Sequence, residues 1–401
     1  MYYFTSITTN YLAKARVLAK TLKLHNKEAK FIVSICDDLP ENFNILNEPF
    51  DGIIKADELE LFGNTNTFFF KYNVTEICTA VKPGIALEIM NRYKAQKVVY
   101  LDPDIAVFSD LNEIKVLLDK YSMIFVPHSS KPDTEKSLII GNEILFLKKG
   151  VFNLGFFAVK NDDEGCRFLK WWHERLFHYC LDDDCTLYEL LNYEGRLGTF
   201  TDQKWIDLVP CFFDNYYILK TPGYDVATWN LSNLHVFVDK GNWFVDGYPL
   251  RFFHFSSFDS GHHHSVLDLI IELNSKCKDV KKLSEWYGRE LKKAGQSQLE
   301  KYEWKYARYS NGELIPNTHR KIFNIRQDIH DIFQNPFEVN NDHCFYNWVN
   351  GEYGDFINNE CSKIVATPKA GKTYRLLKRA FKKIVPRNSK LWNICRQFVK
   401  R

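Results

Sequence analysis

With 401 residues, 45% of them hydrophobic and 15% aromatic, the chain holds enough apolar material for a large core and a second, smaller unit, which excludes disorder as its default state. The net charge of +3 is uneven: thirteen lysines and arginines and no acid follow Glu360, and subtracting them leaves −10 for the rest, a body ill suited to nucleic acid. No run approaches the roughly 18 apolar residues that span a bilayer, and the opening MYYFTSITTN lacks the basic patch and apolar stretch of a signal peptide, so neither a spanning helix nor secretion is expected.

Residues 2–7, YYFTSI, are aromatic and β-branched and predict a first strand, and Thr8, Thr9 and Asn10 after it offer side chains able to cap a helix. Leu12, Ala15, Leu18, Ala19 and Leu22 then recur at helical spacing, and a second strand over 30–36 runs into Asp37 and Asp38. Strand, helix and strand in succession predict a parallel sheet covered by helices. A helix is expected over 79–93, with Pro83 in its first turn, leading into an apolar strand over 97–101. Further strands are expected over 122–127, 151–160 and 250–255, and a helix over 165–180 whose Trp171 and Trp172 read as structural. From residue 265 the texture turns to charged helical segments, which places a domain change there. Ten cysteines between Cys36 and Cys395 form no CxxC pair, so reduced thiols are expected, with no disulfide framework or structural zinc.

The strand over 97–101 ends in Asp102-Pro103-Asp104. Alternate residues of an extended segment face the same way, so both carboxylates are expected on one side, at the strand end where open parallel sheets bind ligands. Two hard oxygen donors suit Mg²⁺ or Mn²⁺, which keep positions for substrate phosphates. By itself the pair has other readings, since the spacing arises by chance and a strand-end Asp often caps the next helix. A phosphatase of the haloacid dehalogenase type also places such a pair after a strand, but requires a Thr two residues beyond the second Asp, where Ala106 stands.

In order and spacing, VVYLDPDI, FNLGFFAVKN, TDQKWID, TPGYDVATWNL and RFFHFSSFD resemble the motifs of bacterial nucleotide-sugar glycosyltransferases of the GT-A fold, close to the family 8 type of lipopolysaccharide synthesis and glycogenin. The resemblance covers roughly residues 1–260. It implies an α/β fold, a Rossmann-like mixed and mainly parallel sheet flanked by helices, with a smaller mainly helical C-terminal region. The implied organisation is a catalytic domain over 1–265, a helical region over 266–360 and a basic tail over 361–401. The implied activity is a metal-dependent and retaining transfer of a sugar from a UDP-sugar, with Mn²⁺ or Mg²⁺, to a lipid-linked or cell-surface polysaccharide of the lipopolysaccharide, O-antigen or capsule kind. A non-catalytic nucleotide-sugar or glycan-binding protein of the same fold is the alternative.

Position by position, the resemblance makes Asp102, Asp104 and His254 the metal ligands. Thr8 and Tyr11 fall at the nucleotide-binding start, the first as a polar contact and the second as a stacking surface, with Asp37 near the base or ribose and Lys82 near the diphosphate or donor sugar. Asn153 and Gly155 shape the sugar pocket, Asp202 faces the sugar hydroxyls and Gln203 the anomeric carbon. On the acceptor side stand Tyr224, Trp229 and Asn230. Thr8 reads equally as a helix cap and Lys82 as a surface lysine. Relatives of the glycogenin type follow their histidine with a glycine and a lysine that grips the diphosphate; here Phe-Ser-Ser-Phe-Asp-Ser-Gly follows His254, so that grip falls to Ser256, Ser257, backbone amides or a lysine from elsewhere. His262, His263 and His264 read as a solvated loop.

In the tail, Leu376, Leu377, Ala380, Phe381, Ile384 and Val385 form an apolar stripe between basic residues, and Leu391, Trp392, Ile394, Cys395 and Phe398 form another. Basic amphipathic helices of this kind lie in the headgroups of anionic membranes. The expected location is cytoplasmic, peripheral on the inner face of the cell membrane.

Overall fold

The computed structural model describes residues 1–182, 198–340 and 343–354. Its central sheet is built from β1 (Tyr2–Ile7), β2 (Lys30–Ile35), β3 (Gly52–Lys55), β4 (Lys97–Leu101), β6 (Met123–Pro127), β7 (Phe152–Lys160) and β8 (Tyr216–Ile218), in the order β3-β2-β1-β4-β7-β6-β8. β1 to β4 pair in parallel, β7 pairs antiparallel with both β4 and β6, and β8 is parallel to β6, so β7 alone runs against the others. A mixed, mainly parallel sheet flanked by helices is the architecture the motifs implied.

The inner strands are covered on both faces, which is why YYFTSI and KFIVSI read as nearly continuous apolar runs. Alternation sorts their side chains: Tyr3, Ile7, Phe31, Val33 and Val99 enter one core with the helix Leu12–His25, while Phe4, Ile32, Val98 and Tyr100 enter the other with the helices Lys82–Arg92 and Asp163–Tyr179. Two further small sheets complete the strands. β9 (Val236–Asp239), β10 (Asn242–Val245) and β11 (Tyr248–Pro249) form an antiparallel meander, and β5 (Ile105–Val107) pairs with β12 (Phe252–His254).

Several local expectations are corrected. The helix expected over 79–93 is two helices, Val74–Ala80 and Lys82–Arg92, because Asn73 and Glu76 form a reciprocal cap that starts a helix earlier, and Pro83 opens the second. None of Thr8, Thr9 and Asn10 caps the first long helix; the Thr8 hydroxyl turns to Asn10 Oδ1 at 2.6 Å. His262, His263 and His264 are not a loop but the start of the helix His262–Leu273, with His263 buried and its Nε2 2.9 Å from Ser284 Oγ. The cysteines among the described residues are free.

One compact unit runs from Met1 to Asn340 and takes in both the sheet and the helices after 265. The helix Val280–Lys293 packs against Leu12–His25, where Arg16 Nη1 donates to Ala294 O at 2.8 Å. Arg320, buried in the helix Asn317–Ile325, donates through Nη1 to the carbonyls of Phe69, Phe70 and Tyr72, at 3.4, 3.3 and 3.1 Å, and through Nη2 to Tyr306 O. The basic segment over 361–401 lies outside the described residues. Among the described residues no helix is long and apolar enough to cross a membrane.

Replacing Arg320 strips buried carbonyls of their donor, and each unpaired buried group costs about 1–3 kcal/mol. Arg320→Leu is therefore expected to lose at least about 3 kcal/mol of unfolding free energy in urea, and an unchanged midpoint and slope would refute its role as a clasp.

Candidate metal and nucleotide-sugar site

The two acids of Asp102-Pro103-Asp104 sit in a tight turn, not in extended backbone as expected: Ile105 N donates to Asp102 O at 3.0 Å, and Pro103 takes the position a turn favours for proline. The turn links β4 to β5 at the carboxyl edge of the sheet. β12 pairs antiparallel with β5 so that His254 stands opposite Ile105, and Phe255 N donates to Asp104 O at 2.9 Å. This pairing brings a residue from far along the chain onto the acids. His254 Nε2 lies 3.1 Å from Asp104 Oδ1 and 3.7 Å from Asp102 Oδ2, and one ligand atom from each residue falls within 4.8 Å of the others.

The surroundings hold those three groups in place. His254 Nδ1 is 3.4 Å from Asp225 Oδ1, and Asp225 is buried with no hydrogen-bond partner for either carboxylate oxygen among the described residues. A carboxylate behind the far nitrogen of a ligating imidazole fixes its tautomer and orientation. Trp229 meets the His254 ring edge-on at 5.1 Å between centroids. Gly155 leaves the room the imidazole needs, since a Cβ there would lie 2.5 Å from His254 Cε1. Tyr100 Oη donates to Asp102 Oδ1 at 2.6 Å, and Asp102 N donates to Gly155 O at 2.8 Å.

Burial pushes the Asp104 carboxyl up, but the His254 imidazole and Lys14 outweigh it and hold it at about 2. Burial works against protonating His254, yet Asp104, Asp225 and Asp102 raise its pKa well above the usual histidine range. A metal held by His254 Nε2 would require the neutral imidazole, so its binding would compete with a proton there. Two carboxylates and an imidazole with a seconding carboxylate fit Mn²⁺ or Mg²⁺.

Lys82 is not a surface lysine. Its ammonium is buried, 2.8 Å from Asp202 Oδ2 and 3.6 Å from Asp102 Oδ1, and donates to Leu154 O at 2.9 Å. Burial disfavours its charge, but Asp102 and Asp202 keep it protonated. Asp202 is held from behind by Trp172 Nε1, which donates to its carbonyl at 3.1 Å, giving the structural tryptophan a role at the site. Asn153 Oδ1 accepts from Gly155 N at 2.9 Å, while its Nδ2 is 3.3 Å from His128 Nε2.

Other candidates are differently employed. Gln203 spends its amide on backbone, accepting from Leu154 N at 3.2 Å and donating to Lys149 O at 3.0 Å. Asn230 does likewise, donating to the carbonyls of Asp225 and His128 and accepting from Ala227 N. Tyr224 is buried in the core against Phe252. Asp37 accepts from the backbone N–H groups of Thr9, Asp38 and Lys305 and lines a cleft of about 490 Å³ with Thr9, Leu39, Tyr302 and Lys305. Tyr11 is 36% exposed, Thr8 is buried, and Ser257 lies in the exposed loop after β12 in a left-handed conformation, φ 59°. Sequence reasoning passed over Asp225, Tyr100 and the edge of the cleft formed by Tyr302 and Lys305. Asp225 had a signal, since it follows Tyr224 in a motif already singled out.

Residues 3–164 match the sequence model of Glycosyl transferase family 8. Over that stretch the chain is similar to family 8 glycosyltransferases. The chain carries Asp102 and Asp104 within that matched stretch and Asp202, Asp225 and His254 beyond it. It is 28% identical over 273 residues to the uncharacterised protein YfnF of Bacillus subtilis (strain 168), covering 64% of this chain and 81% of that one. To YfnD of the same organism it is 22% identical over 264 residues, 64% of this chain and 78% of that one. Among solved structures it is similar to the galactosyltransferase LgtC in complex with donor and acceptor sugar analogues, with a TM-score of 0.38, 15% identity and coverage of 68% of this chain and 96% of LgtC. It is also similar to the glycosyltransferase GlyE of Streptococcus pneumoniae TIGR4, with a TM-score of 0.30, 16% identity and coverage of 54% of this chain and 45% of GlyE.

Removing a carboxylate that seconds a metal-bound histidine typically costs 10–100-fold in metal affinity. Asp225→Asn is expected to weaken Mn²⁺ binding by about that factor in calorimetric titration, and wild-type affinity would show that the imidazole needs no such brace.

Proposed function

We propose that this glycosyltransferase moves a sugar, with retention, from a UDP-sugar to a lipid-linked or cell-surface polysaccharide, using Mn²⁺ or Mg²⁺ held by Asp102, Asp104 and His254. The observation that carries the reading is the convergence of those three ligand groups within 4.8 Å at the carboxyl edge of the sheet. Breaking the bond between sugar and diphosphate builds negative charge on the leaving phosphate, and a divalent ion bound there supplies a Lewis acid where that charge grows. The protein's own residues then position and exclude. Asp202 offers its carboxylate to the sugar hydroxyls, and its 2.8 Å pair with Lys82 occupies one carboxylate oxygen. That pairing favours attack from the same face as the leaving group, with the departing phosphate taking the acceptor's proton, over a covalent intermediate on Asp202. Tyr11 and the cleft edged by Asp37 are assigned to the nucleoside, and Asn153 and Gly155 to the donor sugar. Trp229 keeps an aromatic face for the acceptor, while Tyr224 and Asn230 support the shape of that segment.

The acceptor class and the place of work rest on the tail. Its apolar stripes between thirteen basic residues suit the anionic inner leaflet of a bacterial membrane, where each basic residue near the surface contributes about 1 kcal/mol.

Two experiments test the proposal. Incubation with radiolabelled UDP-, GDP- and TDP-sugars and Mn²⁺ is expected to give chelator-sensitive transfer or hydrolysis, abolished in a folded Asp104→Ala variant; normal turnover by that variant would reject the metal assignment. Deleting residues 363–401 is expected to move the protein from liposomes of anionic lipid to the supernatant, and undiminished sedimentation with the vesicles would remove the membrane reading.

A further inference from the structure

A nucleoside diphosphate brings its negative charge to a site already crowded with carboxylates, so cations of the protein must meet it beside the metal. Lys82 is committed: its ammonium serves Asp202, Leu154 O and the face of Tyr100, 4.3 Å from the ring centroid. Lys14 is differently placed. It lies in the helix Leu12–His25 with its side chain 3% exposed, its Nζ 4.0 Å over the Tyr11 ring and 2.5 Å from Asp259 Oδ2. Tyr11 and Lys14 are three residues apart at the helix start, which puts them on one face. Asp104 lies close enough to act electrostatically on that ammonium. Burial works against the Lys14 ammonium, but Asp104, Tyr11 and Asp259 hold its pKa above the ordinary lysine value.

Asp259 is a replaceable partner. Its side chain is 42% exposed and it sits in the loop that follows His254, between β12 and the helix His262–Leu273. An ion pair with one member in water is weak, whereas a phosphate oxygen brought in beside the metal offers Lys14 a charge-assisted hydrogen bond in a drier place.

We infer that Lys14 is the lysine that grips the donor diphosphate, supplied by the first long helix and released to it by Asp259 when the nucleotide enters. The inference rests on the nucleotide-sugar reading of the site. In place of a lysine after the histidine, this chain has an acid in that loop holding a lysine from a distant helix.

The test is calorimetric, with Mn²⁺ present, on the full chain. UDP, GDP and TDP are titrated into wild-type protein, and the tightest of them is compared with its nucleoside. Lys14→Met is expected to weaken the diphosphate about tenfold to a hundredfold, the worth of a hydrogen bond to a charged group, and to leave the nucleoside unchanged. Asp259→Asn, which keeps the lysine, is expected to bind the diphosphate as tightly as wild type or tighter. Equal diphosphate affinity in Lys14→Met overturns the inference alone. So does an Asp259→Asn variant that itself loses tenfold or more in diphosphate affinity, because the pair is then only a clasp for the loop; this arm decides should Lys14→Met not fold. A wild-type protein that binds none of the three diphosphates overturns the donor reading itself.

Discussion

Like charges do not gather in a protein interior without a reason to stay. At the carboxyl edge of this sheet Asp102, Asp104, Asp202 and Asp225 face Lys82 and His254, with Lys14 just beyond. Each carboxylate taken out of water costs several kcal/mol unless its neighbours return it. The cluster therefore depends on its cations, and it has more acids than fixed cations to meet them. A divalent ion held by Asp102, Asp104 and His254 would offset that excess. The demand for positive charge shapes the site and explains what it is prepared to receive.

The scaffold is arranged to hold that charge still. β4 and β12 bring the acids and the imidazole from opposite ends of the catalytic region, and β5 joins them in register. The core on one face locks Trp172 onto the Asp202 carbonyl, and Gly155 keeps the space in which the imidazole stands. Gln203 and Asn230 spend their amides bracing backbone around the pocket. Residues near a reaction centre thus divide into those that meet the ligand and those that keep the others from moving. The C-terminal helices belong to the same arrangement. Arg320 ties them to the segment ahead of Lys82, and Lys305 N completes the backbone donors around Asp37.

Much of this was legible before any coordinates. The apolar runs of β1, β2, β4 and β7 announced a sheet buried on both faces, and the acid pair at a strand end pointed to the carboxyl edge where the candidate site lies. Other features gave no local signal. The Asp-Pro-Asp turn looks like extended chain unless one knows that β5 must double back toward β12. The three histidines after Gly261 look solvated, yet a left-handed glycine turns them into a helix whose second residue is buried against Phe255 and Phe258. Lys14 reads as one more polar position on an amphipathic helix, because nothing within its own turn reveals Asp259 or Asp104.

The sequence by itself determined the strand and helix pattern and the split between an acidic body and a basic tail, since these follow from local periodicity and composition. Tertiary structure decided which distant residues meet: that His254 stands over the two aspartates, that Asp225 seconds it, and that Lys82 and Lys14 flank the acids. Charges interact through space with a strength set by distance and burial, and neither quantity is written in the spacing of residues along a chain.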